Sequence, residues 1–420
     1  MLTTNQKPIS EVSVAFKRVQ VEKGIRRVGA KRWEVQVHVG RDPSTGKLRQ
    51  VSRTTTRGIA DARRIRSRLI TEVAAGKHGG TVGSFGSLLD EWLTAGERRG
   101  RSPSTIAGYR KKIESTIRPS LGDLPLSKVT VHTLDAFYGR LLDEGTSPAT
   151  VVHHHRIISA ALHQAEKWGW VATNVSRLTT PPTVEKKALM VPQPERVRAL
   201  IDKAAASRSP EWATVITIAA LTGVRRGELC GLRWSDVDWP EKTITVHRSI
   251  WQTSDGWGVK DPKSHQVRHL TLGEHVMGIL AGRYQRVTDD AALAEVNVSE
   301  GAYIFSPELD GSRPMLPGAV TLAFSRICRG MEAPAAKVAE EEGRELRADE
   351  RWPYRFHDLR HYTATELFRA GYNPRTVADR LGHADPALTL RVYTHDTQDQ
   401  AQAAAASLEA GLNIPASLNP

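Results

Sequence analysis

The segment TTPPTVEKKALMVP (Thr179–Pro192) constrains this chain more than any other stretch. It holds three prolines and no apolar period, so it reads as a linker between separately folded units. A length of 420 residues suits two or three domains, with chain enough on each side of the linker to bury a core. With the linker set at 173–192, the chain divides as follows: a loose polar start at 1–23, a small unit at 24–80, a helical unit at 82–172, a larger unit at 193–398 and a tail at 399–420. The fold class expected is multidomain, mainly α with small β, and no internal repeat is visible.

Periodicity gives each unit its character. Trp33, Val35, Val37 and Val39 alternate with polar residues, which is strand period. RDPSTGK (Arg41–Lys47) has turn chemistry, and a second strand follows over Leu48–Thr54. Ala62, Ile65, Leu69 and Val73 then recur at helical steps. The first unit therefore reads as a small sheet backed by one helix, and the fold class expected gives that sheet three strands. Residues 82–172 read as helices throughout. Their apolar stripes are Phe85, Leu88, Leu89, Trp92 and Leu93; Tyr109 and Ile113; Leu134, Phe137, Tyr138, Leu141 and Leu142; and Val151, Ile158, Leu162 and Ala165. The run His153–His155 lies inside the last of these, where consecutive side chains diverge and cannot chelate together. Beyond the linker the pattern is mixed: helical over 194–222, strands within 243–272, and helical again over 318–330 and 353–395. The charged run Ala336–Glu350 reads as an exposed insertion.

The charge is unevenly spread. The net charge is +13, yet residues 1–80 alone carry 18 Lys/Arg against 6 Asp/Glu. That concentration is the footprint of a nucleic-acid-binding module attached to something else; the alternative is a basic, solvated tail. Arg98–Arg101 and Arg110–Lys112 add basic clusters on the helical unit. No apolar run has the length of a membrane span, and MLTTNQKPIS does not resemble a secretory signal. Two cysteines, Cys230 and Cys328, give neither a disulfide framework nor a cysteine metal cage, so a reducing cytoplasm is the plain reading.

HDLRH (His357–His361) poses the chemical question. On a helix with His357 at zero, Arg360 falls near about 300° and His361 near about 40°, so two imidazoles and a guanidinium share a face. Leu359 lies opposite and can anchor the helix. After Gly371, Asn373–Pro374 opens a second helix that stops at Gly382, with His383 next. Asp385–Pro386 opens a third, which carries Tyr393. These two breaks bring His357, Arg360, His383 and Tyr393 toward one region. Three histidines could ligate a metal, but a fixed positive Arg360 beside a cation is costly and acidic ligands are lacking. An anion suits the set better, because a guanidinium fork matches two phosphate oxygens. A second arginine is available: Arg225 follows the break after the apolar helix WATVITIAAL (Trp212–Leu221).

LTGVRRGELCGLRW, PKS, HDLRH, LGH and YTH occur in that order, and together they resemble the tyrosine recombinases, the lambda-integrase-like family of site-specific DNA recombinases. The catalytic resemblance spans about 190–398. Residues 82–172 resemble that family's helical core-binding domain, and the first unit resembles an arm-type DNA-binding domain. By this resemblance Arg225 and Arg360 would clamp the scissile phosphate. His357 would bind the phosphate or move a proton, His383 would donate to the phosphate, Lys263 would protonate the leaving 5′ oxygen, and Tyr393 would be the nucleophile. Lys260 is the alternative acid. His361 is a supporting candidate, and Glu228 and Asp358 would brace the arginines and His357. Tyr354, Tyr362 and Tyr372 lie near Tyr393, which only its place after LGH distinguishes. No cofactor, metal or ATP is implied. The partners implied are double-stranded DNA attachment sites, with a homotetramer on DNA, and an accessory bending or excision factor is left open. The location implied is the bacterial cytoplasm, at the nucleoid. In the tail, Ala403, Leu408 and Leu412 could dock on a neighbouring subunit. The function implied is integration or excision of a phage or mobile element. The rivals are a Xer-like chromosome- or plasmid-resolving recombinase, a non-catalytic DNA-binding regulator, a tyrosine-type topoisomerase and a metal-dependent nuclease.

Overall fold

In the computed structural model of the chain, residues 18–41, 48–74, 83–185, 190–262, 267–299 and 301–382 are described. Backbone contacts divide it between Lys186 and Lys187.

The first unit opens with an antiparallel sheet in the order β1 (Val19–Glu22), β2 (Ile25–Gly29), β3 (Arg32–Arg41) and β4 (Leu48–Thr55). This is one strand more than the three expected. β1 is only four residues long and lies in the stretch read as a loose start. Its register against β2 is set by the turn at Gly24, whose φ of 81° few other residues adopt. A Cβ there would also stand 2.6 Å from the Gln36 carbonyl oxygen. Helix α1 (Ile59–Ala74) covers the sheet, and Ala62 and Leu69 close over Ile25 and Val35.

Five α-helices follow. α2 (Phe85–Arg98) starts at Ser84, whose hydroxyl accepts from Ser87 N at 3.3 Å. α3 (Pro103–Lys112) passes through a π turn, Ile113–Ile117, into α4 (Arg118–Leu121). α5 (Val131–Asp143) and α6 (Pro148–Lys167) complete the bundle. The expected stripes form its core, except that Leu142 is 37% exposed, one helical step off the buried Leu141. In the histidine run His154 is buried, while His155 turns its ring edge to Tyr138. The linker is shorter than its composition suggests. Asn174 caps a 3-10 turn, Val175–Leu178, and Thr180 N donates to Asp135 at 3.1 Å, so the chain stays on the bundle until the prolines.

The second unit holds α7 (Pro194–Ala205), α8 (Glu211–Thr222) and α9 (Arg226–Gly231). Two small antiparallel sheets come next. β5 (Val237–Asp238), β6 (Thr243–Val246) and β9 (Arg268–Thr271) form one; β7 (Ser249–Thr253) and β8 (Gly256–Lys260) form the other. α10 (Glu274–Leu293), α11 (Pro317–Glu341), α12 (Asp358–Arg369) and α13 (Pro374–Leu381) close the described chain. α8 is largely apolar and mostly buried, with Val215, Ile216, Ile218 and Ala219 in the main core, though Leu221 near its end is 41% exposed. The run Ala336–Glu350 is not wholly an insertion. α11 continues past Pro334 to Glu341 and buries Ala339, and the irregular part begins at Glu342. Among the described residues no helix is long and apolar enough to cross a membrane.

Candidate active site

α8 ends at Gly223, which takes a φ of 67°. The position demands glycine twice over, because a Cβ would stand 2.5 Å from Leu381 Cδ2. Two residues later Arg225 precedes α9, and its side chain is held at both terminal nitrogens. Nη1 donates to Glu228 Oε1 and Nη2 to the Gly382 carbonyl, each at 2.8 Å. The Arg225 backbone N–H donates to Glu228 Oε2, also at 2.8 Å. Glu228 is 1% exposed and takes a second guanidinium: Arg268, at the head of β9, donates to its two oxygens at 3.2 and 2.6 Å. Burial pushes the Glu228 carboxyl up, but Arg268 and then Arg225 outweigh it and hold it below the usual carboxylate range.

α12 supplies the opposite wall. Leu359 is buried in the main core and turns Arg360 toward the α8 break. Arg360 is 3% exposed; it donates to the Gly223 carbonyl at 2.6 Å and to the Leu381 carbonyl at 2.5 Å. Thr363 ties the same helix to the Ala220 carbonyl at 2.7 Å. His357, just before α12, meets His361 edge to face with ring centroids 5.0 Å apart. Partial burial, His361 and Arg360 push the His357 imidazole down to about 4 although part of the side chain reaches solvent, and burial lowers His361 as well. Both rings are therefore neutral near pH 7. Asp358 accepts the Arg355 backbone N–H at 2.7 Å and its guanidinium at 3.0 Å.

α13 is set as its signals require, with the Asn373 side chain accepting from Thr376 N at 2.9 Å and Gly382 left-handed at φ 69°. Arg225 and Arg360 thus cross-brace two helix ends, each donating to a carbonyl at the close of α8 or α13. Carbonyls there carry the negative end of the helix dipole and are natural partners for guanidinium. Lys260 ends β8 opposite Ser249. Lys263, His383 and Tyr393 lie outside the described residues, as do the third helix and the tail. Sequence reasoning missed Arg268, and it missed Arg380, which joins the Thr271 and Leu221 carbonyls at 3.2 and 3.1 Å. Only long-range contacts distinguish these two from other arginines. Among the described residues no three His, Cys, Asp or Glu side chains gather as metal ligands. Two oriented guanidiniums beside neutral imidazoles form a donor set for an anion with several oxygens.

Comparison with known proteins gives the family and the fold. Residues 192–400 match the family model described as the phage integrase family, and residues 84–142 match the phage integrase N-terminal SAM-like domain. A "Tyrosine recombinase XerC-like" protein of Caldanaerobacter subterraneus subsp. tengcongensis is 25% identical over 393 residues, 87% of this chain and 93% of that one. The fold is similar to the Tn1549 transposon integrase in complex with a circular intermediate DNA, with a TM-score of 0.61 and 22% identity over 76% of this chain and 99% of that one. It is also similar to a lambda integrase tetramer bound to a Holliday junction, with a TM-score of 0.54 and 20% identity over 90% of this chain and 96% of that one.

Proposed function

We propose that this chain, which belongs to the phage integrase family and is a tyrosine-type site-specific recombinase, grips the scissile phosphate of duplex DNA with Arg225 and Arg360. The observation that carries the assignment is the cross-brace, which orients both guanidiniums before any substrate arrives. Preorganised donors are worth most where charge gathers on oxygens in the transition state. Neutral His357 adds a donor, and His383, one residue beyond Gly382, adds another. Tyr393 Oη attacks phosphorus, a 3′-phosphotyrosine bond forms, and the P–O5′ bond breaks. Lys263, or Lys260 in its place, delivers the proton to the 5′ oxygen. A 5′ hydroxyl of another strand reverses the step, so the bond energy is conserved and no metal or ATP enters. Tyrosine has an ordinary pKa of about 10, and the neighbouring cations favour its ionised form.

The substrate in this reading is a pair of attachment sites, and the outcome is integration or excision of a mobile element. The basic first unit supports it as an arm-type DNA contact, residues 82–172 serve as the core-binding domain, and 193–398 as the catalytic domain. The working form is a homotetramer on DNA in the bacterial cytoplasm, as in the lambda tetramer on its junction. The likeness to a XerC-like protein supports a second reading, a resolving recombinase that acts on one chromosomal or plasmid site.

A nicked suicide substrate bearing the attachment site tests the chemistry. The wild type should give a covalent protein–DNA band on a denaturing gel that chelator leaves unchanged and Tyr393→Phe abolishes. Tight binding with no band points instead to a regulator. Cleavage that chelator stops restores the histidines as metal ligands. A requirement for two different sites separates integration from resolution.

A further inference from the structure

We infer that Arg268 is a positioning residue for DNA cleavage, which occupies Glu228 so that Arg225 stays available to the phosphate. The inference rests on the reading of Arg225 given above. Arg268 is 7% exposed and spends both terminal nitrogens on the two oxygens of Glu228. It also lies against the second holder of Arg225: a Cβ on Gly382 would meet Arg268 Nη1 at 3.0 Å and its Cδ at 3.2 Å. Arg268 therefore pairs with one group that grips the Arg225 guanidinium and lies beside the residue that supplies the other.

The charge arithmetic gives the arrangement its direction. Glu228 is buried and ionised, so it must be matched. With Arg268 present, Arg225 gives the carboxylate one terminal nitrogen and turns the other to Gly382. Without Arg268, the whole carboxylate would fall to Arg225, and a bidentate pair would draw the guanidinium off the phosphate. The defect should appear in the rate of cleavage and not in the affinity for DNA.

The experiment measures single-turnover cleavage of the suicide substrate by the full chain, with DNA affinity and unfolding midpoint recorded for each variant. Arg268→Met should slow cleavage about a hundredfold, the scale of a clamp misplaced by about 1 Å. Its affinity for DNA should stay near wild type. Adding Glu228→Gln to Arg268→Met removes the charge that captures Arg225, so the double variant should cleave faster than Arg268→Met alone. A residue that only supports the fold predicts the reverse, a double variant slower than either single one. That result overturns the inference, as does wild-type cleavage by folded Arg268→Met. If Arg268→Met does not fold, the same cycle is run with Arg268→Gln, which also removes the charge but keeps a polar side chain with a donor for the carboxylate. Failure of the wild type to cleave, or full activity in Arg225→Lys, would instead remove the reading on which the inference stands.

Discussion

Glu228 and Glu350 sit in the same local motif. In each, an arginine three residues earlier donates its backbone N–H at 2.8 Å and its guanidinium to the carboxylate, and a further arginine completes a triad. They differ in where the further arginine comes from and in how much water reaches the group. Arg268 comes to Glu228 from β9, and the three side chains are 22%, 1% and 7% exposed for Arg225, Glu228 and Arg268. Arg344 comes to Glu350 from six residues away, and Arg347 is 68% exposed. Hydrogen-bond spacing is thus a local property of the sequence, whereas its energetic weight is set by what the rest of the chain places over it.

The comparison can be broken most forcefully at Glu228. Glu228→Ala leaves two arginines unmatched in the interior and should destabilise the second unit by about 3–5 kcal/mol, read from urea unfolding midpoints. A cost no larger than that of Glu350→Ala would sink the distinction. Gly223→Ala comes next. A left-handed alanine with its Cβ against Leu381 should cost about 2–4 kcal/mol and displace the carbonyls that hold Arg360.

Acid sharpens the contrast. His357 is held down to about 4, against 6.5 in an unfolded chain. Between those values the unfolded state binds the extra proton, so stability is full above about pH 6.5 and is lost as pH falls toward 4. Glu228 and Glu350 are both held below the ordinary carboxylate range, so their losses come only at lower pH. His357→Gln should flatten unfolding midpoints measured between pH 6.5 and 4.5, and a slope equal to wild type would contradict the assignment. The smallest effect belongs to Glu350→Gln, whose thermal midpoint should stay close to that of the parent, because the amide keeps an oxygen for the Arg347 backbone N–H and the Arg347 guanidinium is 68% exposed, where an ion pair adds little.

These contrasts show what the sequence could tell. Helix ends were legible, because Asn373, Pro374, Gly223 and Gly382 act through their own backbone geometry. So was the burial of α8, whose apolar residues leave it no other place. Arg225 and Arg360 could be found from motif order. β1 was not legible, since four residues carry too little alternation to separate a strand from a loose end. The extent of α11 was hidden by Pro334, a residue that usually stops a helix but here lies within one. Arg268 and Arg380 escaped because an arginine on a short strand or at a helix end is most often a surface charge; only contacts formed across 40 and 159 residues give these two their roles.

The cross-brace ties the site to the cooperativity of folding. α13 has eight residues, and its buried face rests on a small cluster of Ala364, Val377 and Leu381, apart from the main core. A helix below about 12 residues does not hold in water without such packing. Its last carbonyls are the ones that fix Arg225 and Arg360. Amide hydrogen exchange in α13 should therefore occur through a local opening well below the global unfolding free energy. Each such opening removes one of the two holds on each guanidinium at once, so on warming the arginine pair should loosen while the second unit is still folded.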